Sequence, residues 1–145
     1  MKNDITAIKV SKSNIYQIER MIEDICDKYN LHNYFGLIST SVANAVFIAL
    51  RSITEEEQLT FSFTQCIGGM SFALQGESKI FANFNSNDNN QSLETIIKML
   101  SNEVYVFEEG KGLEMIFYVN GIEPVQLLNR QKRFKSYFCK TLVNN

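Results

Sequence analysis

The chain has 145 residues, the length of one ordinary domain, and a domain of that size buries roughly 70% of the surface its unfolded chain exposes, so it builds a core without staples. An apolar fraction of 45% and a charged fraction of 21% exclude a disordered chain. A formal net charge of −2 and a pI near 5.4 argue against a general nucleic-acid binder, which needs a surplus of Lys and Arg.

Ile5 to Val10, rich in Ile and Val, reads as a first strand. Ser11 to Asn14 offers helix caps, and Asn14 with Gln17 has capping-box spacing. Ile15, Ile18, Ile22, Ile25, Cys26 and Tyr29 then recur at helical spacing, opposite a polar face of Glu19, Arg20, Glu23, Asp24 and Asp27. A short break around Asn30 to His32 leads into a second helix from about Asn33 to Ser52, with Ile38, Val42, Ala45, Val46 and Ala49 on one face. The period then changes to two. Leu59, Phe61 and Phe63 alternate with Thr60, Ser62 and Thr64, and after Gly68-Gly69 the alternation resumes as Met70, Phe72 and Leu74. Two glycines between alternating runs predict a hairpin with a type I′ turn, since both turn positions need positive φ.

Ala82 to Gln91 is rich in Asn and reads as a loop. Ser92 caps a third predicted helix with Leu93, Ile96, Ile97 and Leu100 inside. Val104 to Phe107 is a strand, Glu109 to Gly112 a turn, and Leu113 to Val119 a strand with Leu113, Met115, Phe117 and Val119 on one face. Pro124 sits at a favoured first-turn position, and Val125, Leu128, Phe134, Phe138 and Leu142 form a helical stripe after it. No repeat or linker interrupts the chain. The expectation is one domain over residues 1–145, with a core at about 5–120 and a helical extension at about 123–143. Its fold class is an α+β two-layer sandwich, a mixed sheet with the helices on one face.

Tyr34-Phe35-Gly36-Leu37-Ile38 followed by Val42-Ala43-Asn44-Ala45-Val46 resembles the opening of the second helix in bacterial anti-sigma serine kinases, a branch of the GHKL (histidine kinase-like) ATPases. Leu100 to Val104 is similar to that family's end of helix and next strand. The element order matches the family's Bergerat fold, which the resemblance therefore implies. The family's diagnostic residues do not follow. Its Glu-Ala-x-x-Asn-Ala motif falls with the Glu on Asn44 and the Asn on Ile48. Its Asp-x-Gly-x-Gly motif falls with the Asp on Gly76 and the glycines on Ser78 and Ile80, while Phe81 matches the apolar residue that follows. The Gly-x-Gly that opens the third helix is replaced by Gln91-Ser92-Leu93.

These departures have chemical consequences. In the family the Asn holds Mg²⁺, which wants oxygen ligands, and Ile48 offers none. The family Glu is a general base, and Asn44 takes no proton at neutral pH. The family Asp accepts a hydrogen bond from adenine, and Gly76 has no side chain. Ser78 and Ile80 add bulk where glycines let a backbone approach a nucleotide, and the phosphate cradle at a helix N-terminus is missing. The expectation is no ATP cofactor, no metal and no catalytic residue. An altered kinase site would have to recruit a carboxylate or ligand from elsewhere, such as Glu77 or Asp88.

Other residues read blandly. His32 lies in a turn, with no Cys or Ser motif around it. Cys26, Cys66 and Cys139 are odd in number, far apart and without a CxxC pair, which excludes a disulfide framework or zinc site and fits reduced thiols. Glu55-Glu56-Glu57 reads as a solvated loop, with a basic partner surface as the alternative. Residues Asn83 to Asn90 carry one acid, Asp88, too few for a calcium loop. The basic run Arg130 to Lys135 interleaves with Phe134, Tyr137 and Phe138 and reads as an amphipathic helix docked on its own domain or on a second copy, rather than as a nucleic-acid or membrane patch, with Arg130, Arg133, Phe134, Tyr137 and Phe138 as the candidate partner contacts. The N-terminus shows no signal peptide, and no stretch approaches the ~20 apolar residues of a membrane span, so a cytoplasmic protein is expected. The resemblance implies a protein partner of the sigma-factor or anti-anti-sigma class and a homodimer. Three readings stay open: a non-catalytic anti-sigma-factor-like regulator, an ATP-binding serine kinase with an altered site, and a small-molecule sensor using the vacated pocket near Ile48 and Ile80.

Overall fold

Among the described residues, alternating apolar and polar residues build five strands, and stripes at helical spacing build three helices against them. The computed structural model describes residues 5–84 and 91–118. In chain order these are β1 (Ile5–Val10), α1 (Gln17–Lys28), α2 (Phe35–Leu50), β2 (Leu59–Cys66), β3 (Gly69–Gln75), α3 (Gln91–Leu100), β4 (Glu103–Phe107) and β5 (Gly112–Tyr118). The expected C-terminal helix, with Pro124, Cys139 and the five candidate contacts, lies outside the described residues, as does Asp88.

The strands form one sheet in the order β1-β2-β3-β5-β4, and every neighbouring pair is antiparallel. This corrects the expected mixed sheet. With two helices between β1 and β2 the chain reverses direction three times, so β2 returns antiparallel to β1. The single helix between β3 and β4 does make those two strands parallel, but β5 inserts between them and separates the pair.

The register puts Phe61 opposite Leu74, Phe63 opposite Phe72, Phe72 opposite Met115 and Leu74 opposite Leu113. All of these are buried on one face. Phe72 sits at the centre, its ring 5.2 Å from Phe63, 5.9 Å from Phe117 and 6.0 Å from Phe61. Such ring pairs add about 0.5–1.5 kcal/mol each beyond the area they bury. The buried faces of α1 (Ile18, Met21, Ile22, Ile25, Cys26) and α2 (Ile38, Val42, Ala45, Val46, Ile48, Ala49) join the same core. Among the described residues, that core draws on no side chain from the opposite face of the sheet, where Thr60, Ser62, Thr64, Ala73 and Glu114 alternate. The result is two layers, helices on one face of an antiparallel sheet.

Several boundaries differ from expectation for local reasons. Asn14 does not start α1. Its Oδ1 accepts from the Ser11 N–H at 2.7 Å, so the capping interaction closes a 3-10 turn over Lys12–Asn14 and α1 begins at Gln17. The β2–β3 turn is Ile67-Gly68, one residue earlier than Gly68-Gly69, and only Gly68 takes positive φ, so it is not type I′. Gly69 is instead a strand residue pressed against β5, where a Cβ would lie 2.2 Å from the Phe117 carbonyl oxygen. In α3 Ile97 is buried and Leu93 packs against the core as expected, but Glu94 and Lys98 are buried too, while Ile96 is exposed.

The segment His32–Leu50, a 3-10 turn running into α2, is long and apolar enough by length and composition to cross a bilayer. This corrects the sequence expectation that no stretch comes near that length. The buried residues of α2 make it the central helix of the folded layer pair.

Candidate functional site

The positions that the sequence resemblance aligns with a nucleotide site fall on α2 and on the loop after β3. Asn44 is 7% exposed, and its amide nitrogen donates to the Thr40 carbonyl at 2.7 Å, one turn back on its own helix. Its one good donor group is thus engaged by backbone. Ile48, one turn further on, is buried in the core.

At the start of the loop, a Cβ added to Gly76 would lie 2.9 Å from the Ile80 Cδ1 and 3.4 Å from a Leu59 methyl. Ile80 therefore folds back over the side of Gly76 from which a longer residue would project. Ile80 and Phe81 are both buried. A carboxylate placed at position 76 would face Ile80 and Leu59, and burying a carboxylate among apolar groups without partners is costly.

The same loop is anchored on both sides. The Gly76 N–H donates to the Lys111 carbonyl at 2.8 Å, and the Phe81 N–H to the Gly110 carbonyl at 2.7 Å. Gln75 Nε2 donates to Glu108 Oε2 at 2.8 Å, and Lys79 Nζ lies 3.5 Å from Glu109 Oε1. The β4–β5 turn thus straps the loop. Glu108, Glu109 and Gly110 all take positive φ, at 51°, 59° and 100°. On the other side, the Ser78 N–H and Oγ both donate to Glu57 Oε2, at 3.2 and 2.8 Å. Glu57, read from sequence as part of a solvated acidic run, is a loop tie. Its signal was absent from the sequence because its partner lies 21 residues away. Glu77, the described carboxylate proposed for an altered site, is exposed.

Sequence reasoning also missed a polar layer under α3. Glu94 and Lys98, four apart, are both buried. Burial pushes the Lys98 ammonium below its usual pKa, against the opposing pull of Glu94. Its Nζ lies 5.3 Å from the Phe84 ring centroid. A Glu and Lys at i and i+4 read from sequence as a surface pair, and nothing local marks them as internal. Ser41 on α2 and Ser101 after α3, also buried, share a 2.8 Å hydrogen bond next to the Met115 sulfur.

The remaining candidates carry little chemistry. His32 is exposed, with Nε2 3.5 Å from Asp27 Oδ1. Burial, then the nearby Asp27 charge, pushes the Cys26 thiol up. Burial, followed by Glu114 and Glu103, does the same to Cys66. A raised pKa keeps a thiol protonated and a poor nucleophile. Among the described residues, no three His, Cys, Asp or Glu side chains are grouped to hold a metal. No family model matches the chain, and no curated protein matches it.

Proposed function

We propose that this chain is a cytoplasmic, non-catalytic, anti-sigma-factor-like regulator on a Bergerat-type scaffold, which binds a protein partner without ATP turnover. The observation that carries this reading is Ile80 folded against Gly76, within a loop hydrogen-bonded to the β4–β5 turn. That arrangement puts apolar atoms where the resemblance would need an adenine-binding carboxylate. The engagement of Asn44 by its own helix and the burial of Ile48 support it from the α2 side. The burial of Ile48 and Ile80 also weighs against the small-molecule sensor, which needs that space open. The element order and the α+β layering are those the resemblance implies, so the partner classes are a sigma factor or an anti-anti-sigma protein, with a homodimer as the assembly. Affinity capture of the tagged full chain from its native cell, followed by mass spectrometry, tests the regulatory reading. Recovery of a sigma factor or an antagonist domain, unaffected by added Mg·ATP, is the expected result. Recovery of neither would overturn the regulatory assignment.

A further inference from the structure

β1 is a terminal strand of the sheet. It pairs with β2 on one side, and in an antiparallel ladder every second residue directs its N–H and C=O away from that partner. On the other side, among the described residues, no strand covers it. An uncovered edge of this kind is a template for one more strand.

Beside that edge, between β1 and α1, runs an open cleft of about 500 Å³. Its strand wall is Thr6 and Ile8, which face the helices because they lie opposite Phe63 and Phe61. Its floor is apolar: Phe63, Met21 and Ile25 are buried, and the Tyr29 ring sits 5.5 Å from that of Phe63. Its helix rim carries Arg20, Asp24 and Lys28, four residues apart and therefore on one face of α1. Neither Arg20 nor Lys28 forms an ion pair among the described residues. Lys28 instead lies over the Tyr29 ring, its Nζ 5.3 Å from the centroid. Two unpaired cations flank the cleft in a chain that is acidic as a whole.

We propose that this cleft binds an extended segment of the protein partner, which adds to the β1 edge and carries the pattern acidic-x-apolar-x-acidic. The backbone edge supplies the affinity for an extended chain, and the cleft reads alternate side chains. Arg20 and Lys28 are eight residues apart, about 12 Å along a helix. Four residues of strand span about 13 Å, so side chains at i and i+4 of one strand face reach both cations. The side chain at i+2 enters the apolar floor, and Asp24 at the middle of the rim disfavours a third acid there. This rests on the reading of the chain as a partner-binding module, and names the surface and chemistry of that binding.

The test uses the full-length chain and an immobilised array of ten-residue peptides with a Glu-Thr-Val-Thr-Glu core, varied at the two acidic positions and at the valine. The expected result is binding that is lost when both acids become Lys and when the valine becomes Asp. Binding to the best array peptide should weaken about tenfold in the Arg20→Glu/Lys28→Glu variant, whose exposed positions leave the core untouched. Hydrogen exchange should slow at the β1 amides when that peptide is bound. Binding that ignores the acids, or that leaves β1 exchange unchanged, overturns the proposal. So does protection of β1 that grows with protein concentration alone, which would identify the occupant as a second copy. A captured cellular partner that still binds the double variant removes the cleft and leaves the proposed function standing. Binding of Mg·ATP would do the reverse.

Discussion

Two turns of the same sheet are built on opposite terms. The β2–β3 turn is two residues long, with Ile67 98% exposed and Gly68 in open space. It connects its strands and touches little else. The β4–β5 turn holds three successive residues at positive φ, two of them glutamates. Left-handed backbone costs a non-glycine residue roughly 1–2 kcal/mol. Strain of this kind persists where surrounding structure over-determines it, and here the surroundings are the hydrogen bonds that strap the 76–82 loop. The contrast teaches that the turn carrying the backbone strain is the one hydrogen-bonded to the loop that holds Gly76, Ser78 and Ile80.

Substitutions in the two turns should separate them. Gly110→Ala places a Cβ 2.7 Å from the Ala82 Cα at a φ of +100°, and it should cost about 3 kcal/mol in denaturant unfolding. Gly68→Ala meets no atom within 4 Å and suffers only from its φ of +76°, so about 1 kcal/mol is expected. Equal costs at the two positions would erase the comparison. Glu109→Gly should go the other way and stabilise by about 0.5 kcal/mol, the relief of strain less the added freedom of the unfolded chain.

A smaller effect is linked to pH. The Cys26 thiol has a raised pKa in the fold. The unfolded thiol ionises first, near pH 8.5, so the stability Cys26 contributes is complete below that value and is lost as pH rises towards the folded pKa. Denaturant midpoints measured between pH 8 and pH 10 should therefore fall less in Cys26→Val than in the unaltered chain. An identical fall in both would remove Cys26 from the account. The smallest effect belongs to the exposed tie from Ser78 to Glu57. Ser78→Ala should leave global stability within about 0.5 kcal/mol and speed amide exchange at residues 76–80 alone.

The layers were legible in the sequence because periodicity reports burial. The stripe of α1, the buried face of α2, and the alternation of Phe61, Phe63, Met70, Phe72 and Leu74 all appear where the spacing puts them. Strand order was not legible, since whether β5 slips between β3 and β4 is decided by tertiary pairing. The inward face of α3 was legible at Leu93 and Ile97 but not at Glu94 and Lys98, which are internal while Ile96 is outside, a case of tertiary context overriding local pattern. At the candidate site the sequence named Asn44, Ile48, Gly76, Ser78 and Ile80. The closure itself depends on Lys111, Gly110 and Glu57, which are distant in sequence and carry no motif.

In the proposed function a packed loop stands where the resemblance would seat a nucleotide. Isothermal titration calorimetry of the full-length chain with Mg·ATP tests it most directly. No saturable heat is expected at millimolar ATP, whereas binding in the micromolar range, about −8 kcal/mol, would mean that the loop leaves a nucleotide site open.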